Sequence, residues 1–237
     1  MIQNHFIGAI GGKGQGKTTW AMEQFLKSRR GLAFDACGEY KNCLKIYNRM
    51  QLIEYLEKQP RFRVAFVPRA GEKEAAEDLL LLCRLAFAKG KIDLFLEEAD
   101  YFSAANYSDP ALDRIIRYGR HAEINLTYTV RRFPDTSRQL TAQTDEYRLF
   151  RASEPVDLQG LVKRFGTETA EHIASLQRFE HIKIIVADHM SATQSMEKKN
   201  EPEKPSDLRG AGVVAGVRDG VRDGERDPAT PGATDGK

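Results

Sequence analysis

The sequence has few cysteines, no long apolar run and little net charge. Its three cysteines among 237 residues are odd in number and form no Cys-x-x-Cys pair, which argues against a disulfide framework and a zinc knuckle. We therefore expect a reducing, intracellular environment. The longest apolar run, 79–83, is far shorter than the roughly 18 residues of a membrane-spanning helix, and residues 1–10 lack the cationic start of a signal peptide. These absences predict a soluble protein with no membrane span.

The charge is nearly balanced, because 36 Lys and Arg face 34 Asp and Glu and leave a formal net charge of +2. A balance this close argues against a polybasic surface of the kind that coats nucleic acid. Any contact with DNA or RNA is therefore expected to be local, or to depend on several copies of the chain acting together.

Polar and turn-forming residues are concentrated at the C-terminus. Residues 191–237 hold seven of the 19 glycines and four of the nine prolines, and the unit Val-Arg-Asp-Gly at 217–220 recurs at 221–224. Such a segment cannot bury enough apolar surface to offset the entropy of ordering it, so we predict a disordered low-complexity tail. Without the tail's eight Lys/Arg and nine Asp/Glu, residues 1–190 carry a net charge of +3. We expect these residues to form one domain.

Within residues 1–190, short apolar runs alternate with longer amphipathic ones. The predicted strands are 5–10, 32–35, 63–67, 92–96, 125–130, 147–151 and 181–186. The predicted helices are 18–29, 51–58, 72–89, 110–121, 138–143, 157–165 and 167–175. The strands are continuously apolar, which is typical of strands covered on both faces. The alternation predicts an α/β fold with a mainly parallel sheet and helices on both faces.

A phosphate-binding loop follows the first predicted strand. The pattern G-x-x-x-x-G-K-[ST] is matched between an apolar strand and an amphipathic helix, which is the context that this loop requires. Glycines let successive backbone N–H groups point inward, and the helix N-terminus adds partial positive charge. Lys17 is expected to reach the β- and γ-phosphates of ATP, and Thr18 to bind Mg²⁺. The predicted nucleotide-binding residues are Gly11, Gly12, Lys13, Gly14, Gln15, Gly16, Lys17, Thr18 and Thr19, with Lys13 and Gln15 more typical of solvated loop side chains.

A second acidic element ends the predicted strand 92–96. Glu97 and Glu98 follow the strand directly, whereas Asp93 lies at its opposite end. Phosphoryl transfer needs a held Mg²⁺ and an oriented water near the γ-phosphate. We predict that Glu97 holds Mg²⁺ together with Thr18, and that Glu98 polarises the attacking water.

At these residues the sequence resembles the HerA/FtsK superfamily of ring-forming, DNA-pumping ATPases, which includes the small genome-packaging ATPases of tailless viruses with a membrane. The segment 35–40 is similar to the family's Asp-Pro-x-Gly-Glu-Tyr, and 97–100 to its Asp-Glu-Ala-Asp ending. Residues 117–121 resemble its Gly-Arg-Lys helix end, and 131–134 and 151–158 resemble later motifs. The resemblance covers roughly residues 5–165 and implies a RecA-like P-loop NTPase fold.

The sequence departs from the family at two places. Glu97 stands where the family usually has an Asp. Because Glu also carries a carboxylate, an oxygen ligand for a hard cation is retained. The strand that commonly ends Thr-Gln-Arg ends here Thr129-Val130-Arg131, so the polar γ-phosphate sensor is absent from its usual position. Thr129, Asn125 and Thr127 are the candidate substitutes.

The family resemblance also implies partners. A neighbouring subunit usually inserts an arginine toward the γ-phosphate, and we predict Arg117 and Arg120 for this role, with Arg114 one turn earlier. Arg131, Arg132 and Arg138 are candidates for gripping the backbone of double-stranded DNA. The resemblance implies a homo-oligomeric ring, expected to be a hexamer, that acts in the host cytoplasm or on the virion with a capsid or portal-vertex protein.

Three other functions stay open at this stage. A small-molecule or nucleoside kinase shares the phosphate loop but needs no hydrolytic Glu98. A phage assembly ATPase similar to the zonula-occludens-toxin relatives shares the core but usually carries a membrane span. A nucleotide-gated adaptor would bind ATP without hydrolysing it. The short segment before the first strand favours a minimal viral packaging motor over larger chromosome translocases.

Overall fold

A computed structural model describes residues 4–68 and 72–187. The predicted low-complexity tail, 191–237, and the predicted domain boundary at 190 lie outside these residues. No helix in the two described ranges is long and apolar enough to cross a membrane.

The chain alternates strands and helices along most of its length. The strands are β1 (Phe6–Ile10), β2 (Arg30–Phe34), β3 (Leu44–Ile46), β4 (Phe62–Phe66), β5 (Ile92–Leu96), β6 (Ser103–Ala104), β7 (Tyr107–Ser108), β8 (Ile124–Val130), β9 (Glu146–Phe150) and β10 (His181–Ile185). The helices are α1 (Lys17–Lys27), α2 (Arg49–Lys58), α3 (Glu72–Lys89), α4 (Pro110–Tyr118), α5 (Arg138–Ala142), α6 (Pro155–Phe165) and α7 (Thr167–Ser175). Two 3₁₀ helices, Ala99–Tyr101 and Gly119–Ala122, follow β5 and α4.

Eight strands form one sheet in the order β10-β9-β1-β8-β5-β2-β4-β3. All neighbouring strands are parallel except β10, which runs antiparallel to β9. The carboxyl ends of the parallel strands therefore meet at one edge, which is where open α/β sheets bind ligands. β8 lies between β1 and β5, so the phosphate loop and the acidic strand end are one strand apart at that edge.

Alternate residues of the central strands pack against opposite layers of helix. On β2 and β4, Ala33 and Ala65 face a cluster that contains Phe25 of α1. Their neighbours Leu32 and Val64 face the larger core cluster, which includes residues of α2, α3, α4, α6 and α7. The predicted fold class, a mainly parallel sheet with helices on both faces, is confirmed.

Several predicted boundaries are wrong. β3 and the β6–β7 hairpin have no counterpart among the predicted strands, because two or three residues are too few to show a period. β2 ends at Phe34, so Asp35 leaves the strand and caps the following turn. α4 ends at Tyr118, and the chain continues as a 3₁₀ helix to Ala122. Arg117 and Arg120 therefore do not share one continuous helix.

Candidate nucleotide-binding site

The loop between β1 and α1 has the backbone of an anion cradle. Gly14 and Gly16 have φ angles of 72° and 105°, and Gly16 is the N-cap of α1 without a side-chain cap. These left-handed conformations suit glycine, which has no Cβ to clash. At the start of the loop, a Cβ on Gly11 would lie 2.7 Å from Cβ of Phe150. The N–H groups of Gly11 and Gly12 donate to the Val130 and Arg151 carbonyls at 3.4 and 3.2 Å. The N–H groups open to an anion are therefore those that follow, at the N-terminus of α1.

Lys17 turns its ammonium group back into this loop. Its Nζ donates a hydrogen bond to the Gly12 carbonyl at 2.9 Å. Burial lowers the pKa of Lys17, while the carboxylates of Glu97 and Asp100 act in the opposite direction. A partly buried cation with a single neutral acceptor is well placed to exchange that acceptor for a phosphate oxygen.

Thr18 and Glu97 are brought together by α1 and the end of β5. Thr18 Oγ1 donates to Glu97 Oε2 at 2.9 Å, and the Tyr40 hydroxyl lies 3.5 Å from Glu97 Oε1. Burial raises the pKa of Glu97 to about 7, the charges of Asp35 and Glu39 add to the rise, and the hydrogen bond from Thr18 opposes it. Ionisation of this buried carboxylate is unfavourable, so a nearby cation would stabilise its charged form. The paired oxygens fit a hard divalent cation such as Mg²⁺.

The segment 35–40 forms a turn that positions Tyr40 next to Glu97. The buried Asp35 carboxylate accepts hydrogen bonds from the backbone N–H groups of Glu39 and Tyr40 at 2.8 and 3.0 Å. This turn holds the buried Tyr40 ring against Phe25, with 5.2 Å between the centroids. The turn gives Tyr40 its place beside Glu97, a role that the sequence pattern did not reveal.

Glu98 adopts a left-handed conformation with φ 52° and ψ 49°. For a non-glycine residue this conformation is uncommon and occurs at functional sites. Its backbone N–H donates to Thr129 Oγ1 at 3.0 Å, and its Oε1 accepts from Arg131 Nη2 at 2.6 Å. The end of β8 therefore fixes both the backbone and the carboxylate of Glu98.

The three candidate sensor residues occupy different places on β8. Thr129 lies at the site and is bonded to the backbone of Glu98. Asn125 lies at the opposite end of β8, where it donates to Asp93 Oδ1 at 2.8 Å and accepts from the His5 N–H. Thr127 is buried between β1 and β5. Of the three, within the described residues, Thr129 alone is hydrogen-bonded to a site residue. Arg131, two positions further on and predicted from the sequence to contact DNA, adds a cation beside Glu98.

The predicted finger arginines lie away from this chain's own phosphate loop. Arg117 is exposed in the last turn of α4, and Arg120 is exposed in the 3₁₀ helix that precedes β8. This segment borders the start of β5, since Lys91 N donates to the Ala122 carbonyl at 2.8 Å. It therefore lies at the edge of the sheet opposite the carboxyl ends of the strands. Arg114 is stacked over the Phe87 ring at 4.9 Å.

The arginines expected to grip DNA have unequal surroundings. Arg131 is paired with Glu98, and Arg132 is paired with Asp157 at 2.8 Å and with Asp135 at 3.3 Å. Arg138 is exposed at the start of α5. Of these three residues, Arg138 is thus the one that forms no ion pair in the described part of the chain.

Asp100 is a site residue that the sequence analysis left without a role. It follows Glu98 in the 3₁₀ helix, burial raises its pKa, and its Oδ1 is buried without a hydrogen-bond partner. Charge interactions link it to Lys17 and Arg131. Within the part of the chain that the structure describes, no group of three or more His, Cys, Asp or Glu side chains is arranged to hold a metal ion. Protein ligands for Mg²⁺ would therefore be few, as is usual where phosphates supply the other oxygens.

No protein-family model and no curated protein matches the sequence. Among solved structures, the chain is similar to the genome packaging NTPase B204 from Sulfolobus turreted icosahedral virus 2 in complex with AMP. The TM-score is 0.64, with 19% identity over 78% of this chain and 94% of that chain. It is also similar to B204, the DNA-packaging ATPase from Sulfolobus turreted icosahedral virus, with TM-score 0.64 and 23% identity over 80% and 96%. At these identities the likeness establishes the fold, that of a P-loop NTPase, in agreement with the resemblance of the sequence to the HerA/FtsK superfamily.

Proposed function

We propose that this protein is an ATP-hydrolysing motor that moves double-stranded DNA, in the manner of a viral genome-packaging ATPase. The observation that carries the proposal is the arrangement of three groups at the carboxyl edge of the sheet. Lys17 turns into a glycine cradle, Thr18 and Glu97 pair their oxygens, and Glu98 is held in a strained left-handed conformation beside them. Cradle, metal-binding oxygens and a separate carboxylate are the parts that nucleotide hydrolysis requires.

Each residue has a distinct task in hydrolysis. The backbone N–H groups of residues 13–18 and the Lys17 ammonium bind the phosphates and stabilise the charge that develops on them. Mg²⁺ bound with the nucleotide would be held by Thr18 and Glu97, and would neutralise charge on the phosphate oxygens. Glu98 accepts a hydrogen bond from the attacking water and orients it in line with the γ-phosphate. A carboxylate committed to water favours hydrolysis over transfer to a small acceptor.

The proposed coupling to DNA is supported by the structural neighbours and by the net charge of the chain. One structural neighbour is a viral genome packaging NTPase and another is a viral DNA-packaging ATPase, and this chain spans 94% and 96% of their lengths. The net charge of +3 over residues 1–190 is too small for one subunit to hold a duplex tightly. A ring multiplies a weak contact by presenting several copies at once, so we propose a homo-oligomer, expected to be a hexamer.

The positions of Arg117 and Arg120 support a ring. Both are exposed at the sheet edge opposite their own phosphate loop, so they can reach a γ-phosphate only in a neighbouring subunit. We propose that Arg120, with Arg117, acts in trans. Docking to a capsid or portal-vertex protein, in the host cytoplasm or on the virion, belongs to the same proposal.

The test is the ATPase rate of the full-length protein with and without double-stranded DNA, beside a Glu98→Gln variant. The proposal expects stimulation by DNA and loss of turnover in the variant with ATP binding retained. A rate that depends on an added small acceptor rather than on DNA would identify a kinase. A rate that neither DNA nor the substitution changes would contradict the motor.

A further inference from the structure

An exposed aromatic residue from a distant part of the sequence, Phe179, lies against the phosphate loop. Residues 177–180 form the turn between α7 and β10, closed by a hydrogen bond from the Glu180 N–H to the Gln177 carbonyl at 3.1 Å. Because β10 runs antiparallel to β9, the turn before β10 lies at the edge where the parallel strands end. There it meets the loop that follows β1, although some 164 residues separate them in sequence.

Three contacts join the turn to the loop. The Phe179 N–H donates to the Gln15 carbonyl at 3.2 Å, and Arg178 Nε donates to the Gly14 carbonyl at 3.0 Å. A Cβ added to Gly16 would lie 2.7 Å from Cδ1 of Phe179. The ring is thus in close contact with the glycine that begins α1.

The conformation of Phe179 is unfavourable by itself. Its φ angle is 72°, in the left-handed region that bulky residues rarely adopt, and its side chain is 56% exposed. The guanidinium of Arg178 is stacked on the ring at 4.7 Å from its centroid. A strained backbone that presents an aromatic ring to solvent gains nothing from core packing. Strain of this kind is characteristic of ligand clamps.

We propose that Phe179 and Arg178 form the subsite for the base of the bound nucleotide. The inference rests on the proposed function, because it extends the same triphosphate site. The oxygens of Thr18 and Glu97 mark the γ-phosphate side of the loop, toward β5, whereas the turn lies on the opposite side, toward β9 and β10. A nucleotide whose terminal phosphate meets Glu97 directs its ribose and base away from β5.

The chemistry of the pair fits a heteroaromatic base. The exposed Phe179 ring offers a flat apolar surface, and the guanidinium of Arg178 is planar and stacks on π-systems. Stacking is tolerated by every base, since each has a π-face. We therefore expect the subsite to accept the bases of both ATP and GTP.

Binding of ATP and of inorganic tripolyphosphate to the full-length protein separates the base subsite from the phosphate cradle. Removing an aromatic stacking partner weakens base binding by about 1–3 kcal/mol, which corresponds to roughly a 5- to 150-fold rise in Kd. We expect Phe179→Ala to raise the Kd of ATP within that range and to leave the Kd of tripolyphosphate unchanged. Phe179→Trp should retain ATP affinity. Tyr47→Ala, which removes another exposed ring, should change neither Kd.

Phe179→Gly controls for the backbone, because glycine adopts φ 72° without strain. If the ring binds the base, the glycine and alanine variants lose ATP affinity alike. An unchanged ATP affinity in Phe179→Ala, or an equal loss for ATP and tripolyphosphate, would overturn the proposal. Lys17→Ala tests the phosphate cradle independently. If that variant binds tripolyphosphate as tightly as the wild type, the proposed function fails whatever the result at Phe179.

Discussion

Nη2 of Arg131 lies 2.6 Å from Oε1 of Glu98, in an ion pair that joins the end of β8 to the end of β5. The interaction raises the pKa of Arg131 and keeps a positive charge beside the carboxylate. Arg131 stands one residue after Val130, the position where the HerA/FtsK superfamily, which the sequence resembles, commonly carries a polar γ-phosphate sensor. We propose that Arg131 supplies, at the same strand end, a donor that faces the γ-phosphate.

Arg131→Ala is predicted to lower kcat by about 10²- to 10³-fold, the usual cost of removing one preorganised donor from a transition-state site. The KM for ATP should change little, because Lys17 and the loop N–H groups still bind the phosphates. Steady-state kinetics without DNA measure both quantities. Arg131→Lys keeps the positive charge but loses the planar guanidinium with its several N–H donors, and should recover part of kcat. A wild-type kcat in Arg131→Ala would show that the ion pair is not needed for hydrolysis.

Glu97→Gln is predicted to raise the Mg²⁺ concentration needed for half-maximal nucleotide binding. The amide keeps the shape of the side chain but removes the charge that opposes the cation. A titration of Mg²⁺ against binding of a non-hydrolysable ATP analogue measures the shift, with Glu54→Gln, an exposed carboxylate of α2, as the control. Equal Mg²⁺ dependence in wild type and Glu97→Gln would remove Glu97 from the metal site.

Asp35→Ala is predicted to destabilise the domain by about 1–3 kcal/mol for each backbone N–H left without a partner. The residues affected are Glu39 and Tyr40, whose backbone N–H groups donate to the Asp35 carboxylate. Urea unfolding measures the change in free energy. Asp35→Asn keeps one oxygen acceptor and should lose less than Asp35→Ala. Equal stability of the alanine variant and the wild type would mean that this turn is held by other contacts.

Arg120→Ala is predicted to abolish hydrolysis in the assembled protein while ATP binding is retained. Glu98→Gln subunits lack their own hydrolytic carboxylate but still carry Arg120. If the arginine acts in trans, a mixture of the two inactive variants should regain part of the wild-type rate, because a Glu98→Gln subunit can donate Arg120 to an intact neighbouring site. Absence of any regained activity in mixed assemblies would exclude action in trans.

The stability of the fold is predicted to depend on pH through Glu146, a residue of β9. Burial alone would raise its pKa, but the hydrogen bond from Lys183 and the charge of Arg148 outweigh burial and lower it. The folded state therefore favours the carboxylate. Its stabilisation is present above the ordinary pKa of Glu, about 4.3, and is lost as the pH falls through the lower folded-state pKa.

We expect Glu146→Gln to be less stable than wild type at pH 7 and the difference to shrink below about pH 4. Thermal unfolding of both proteins at pH 7 and below about pH 4 tests this expectation. A difference that stays constant with pH would mean that packing rather than charge stabilises the wild type.

The parts of the site that are local in sequence were the ones that could be predicted. Gly11–Thr18 and the acidic end of β5 are each contained in a short segment, and both lie where the pattern placed them. The partner of Glu98 was not predictable from one segment. Arg131 is close to Glu98 because β8 lies next to β5 in the sheet, a pairing of strands that are distant in sequence. The same holds for Phe179, which reaches the loop through the antiparallel β10.

Short elements and helix ends limited the prediction of the fold. β3 and the β6–β7 hairpin contain two or three residues each, and so have no readable period. Tyr118 leaves the helical conformation with φ −123° and ψ −5°, and the 3₁₀ helix begins directly after it. This break separates Arg117 from Arg120. The helix periodicity continues through 121 and therefore concealed the break.

Movement along DNA distinguishes the proposed motor from other ATPases, and displacement of a third strand reports that movement. A triplex-forming oligonucleotide is annealed to linear duplex DNA, and its release is followed with the full-length protein, Mg²⁺ and ATP. For a translocating motor we expect release that requires ATP hydrolysis, is lost in Glu98→Gln, and slows as the triplex lies farther from the duplex end. Rapid ATP hydrolysis with no release of the third strand at any distance would contradict a DNA-translocating motor.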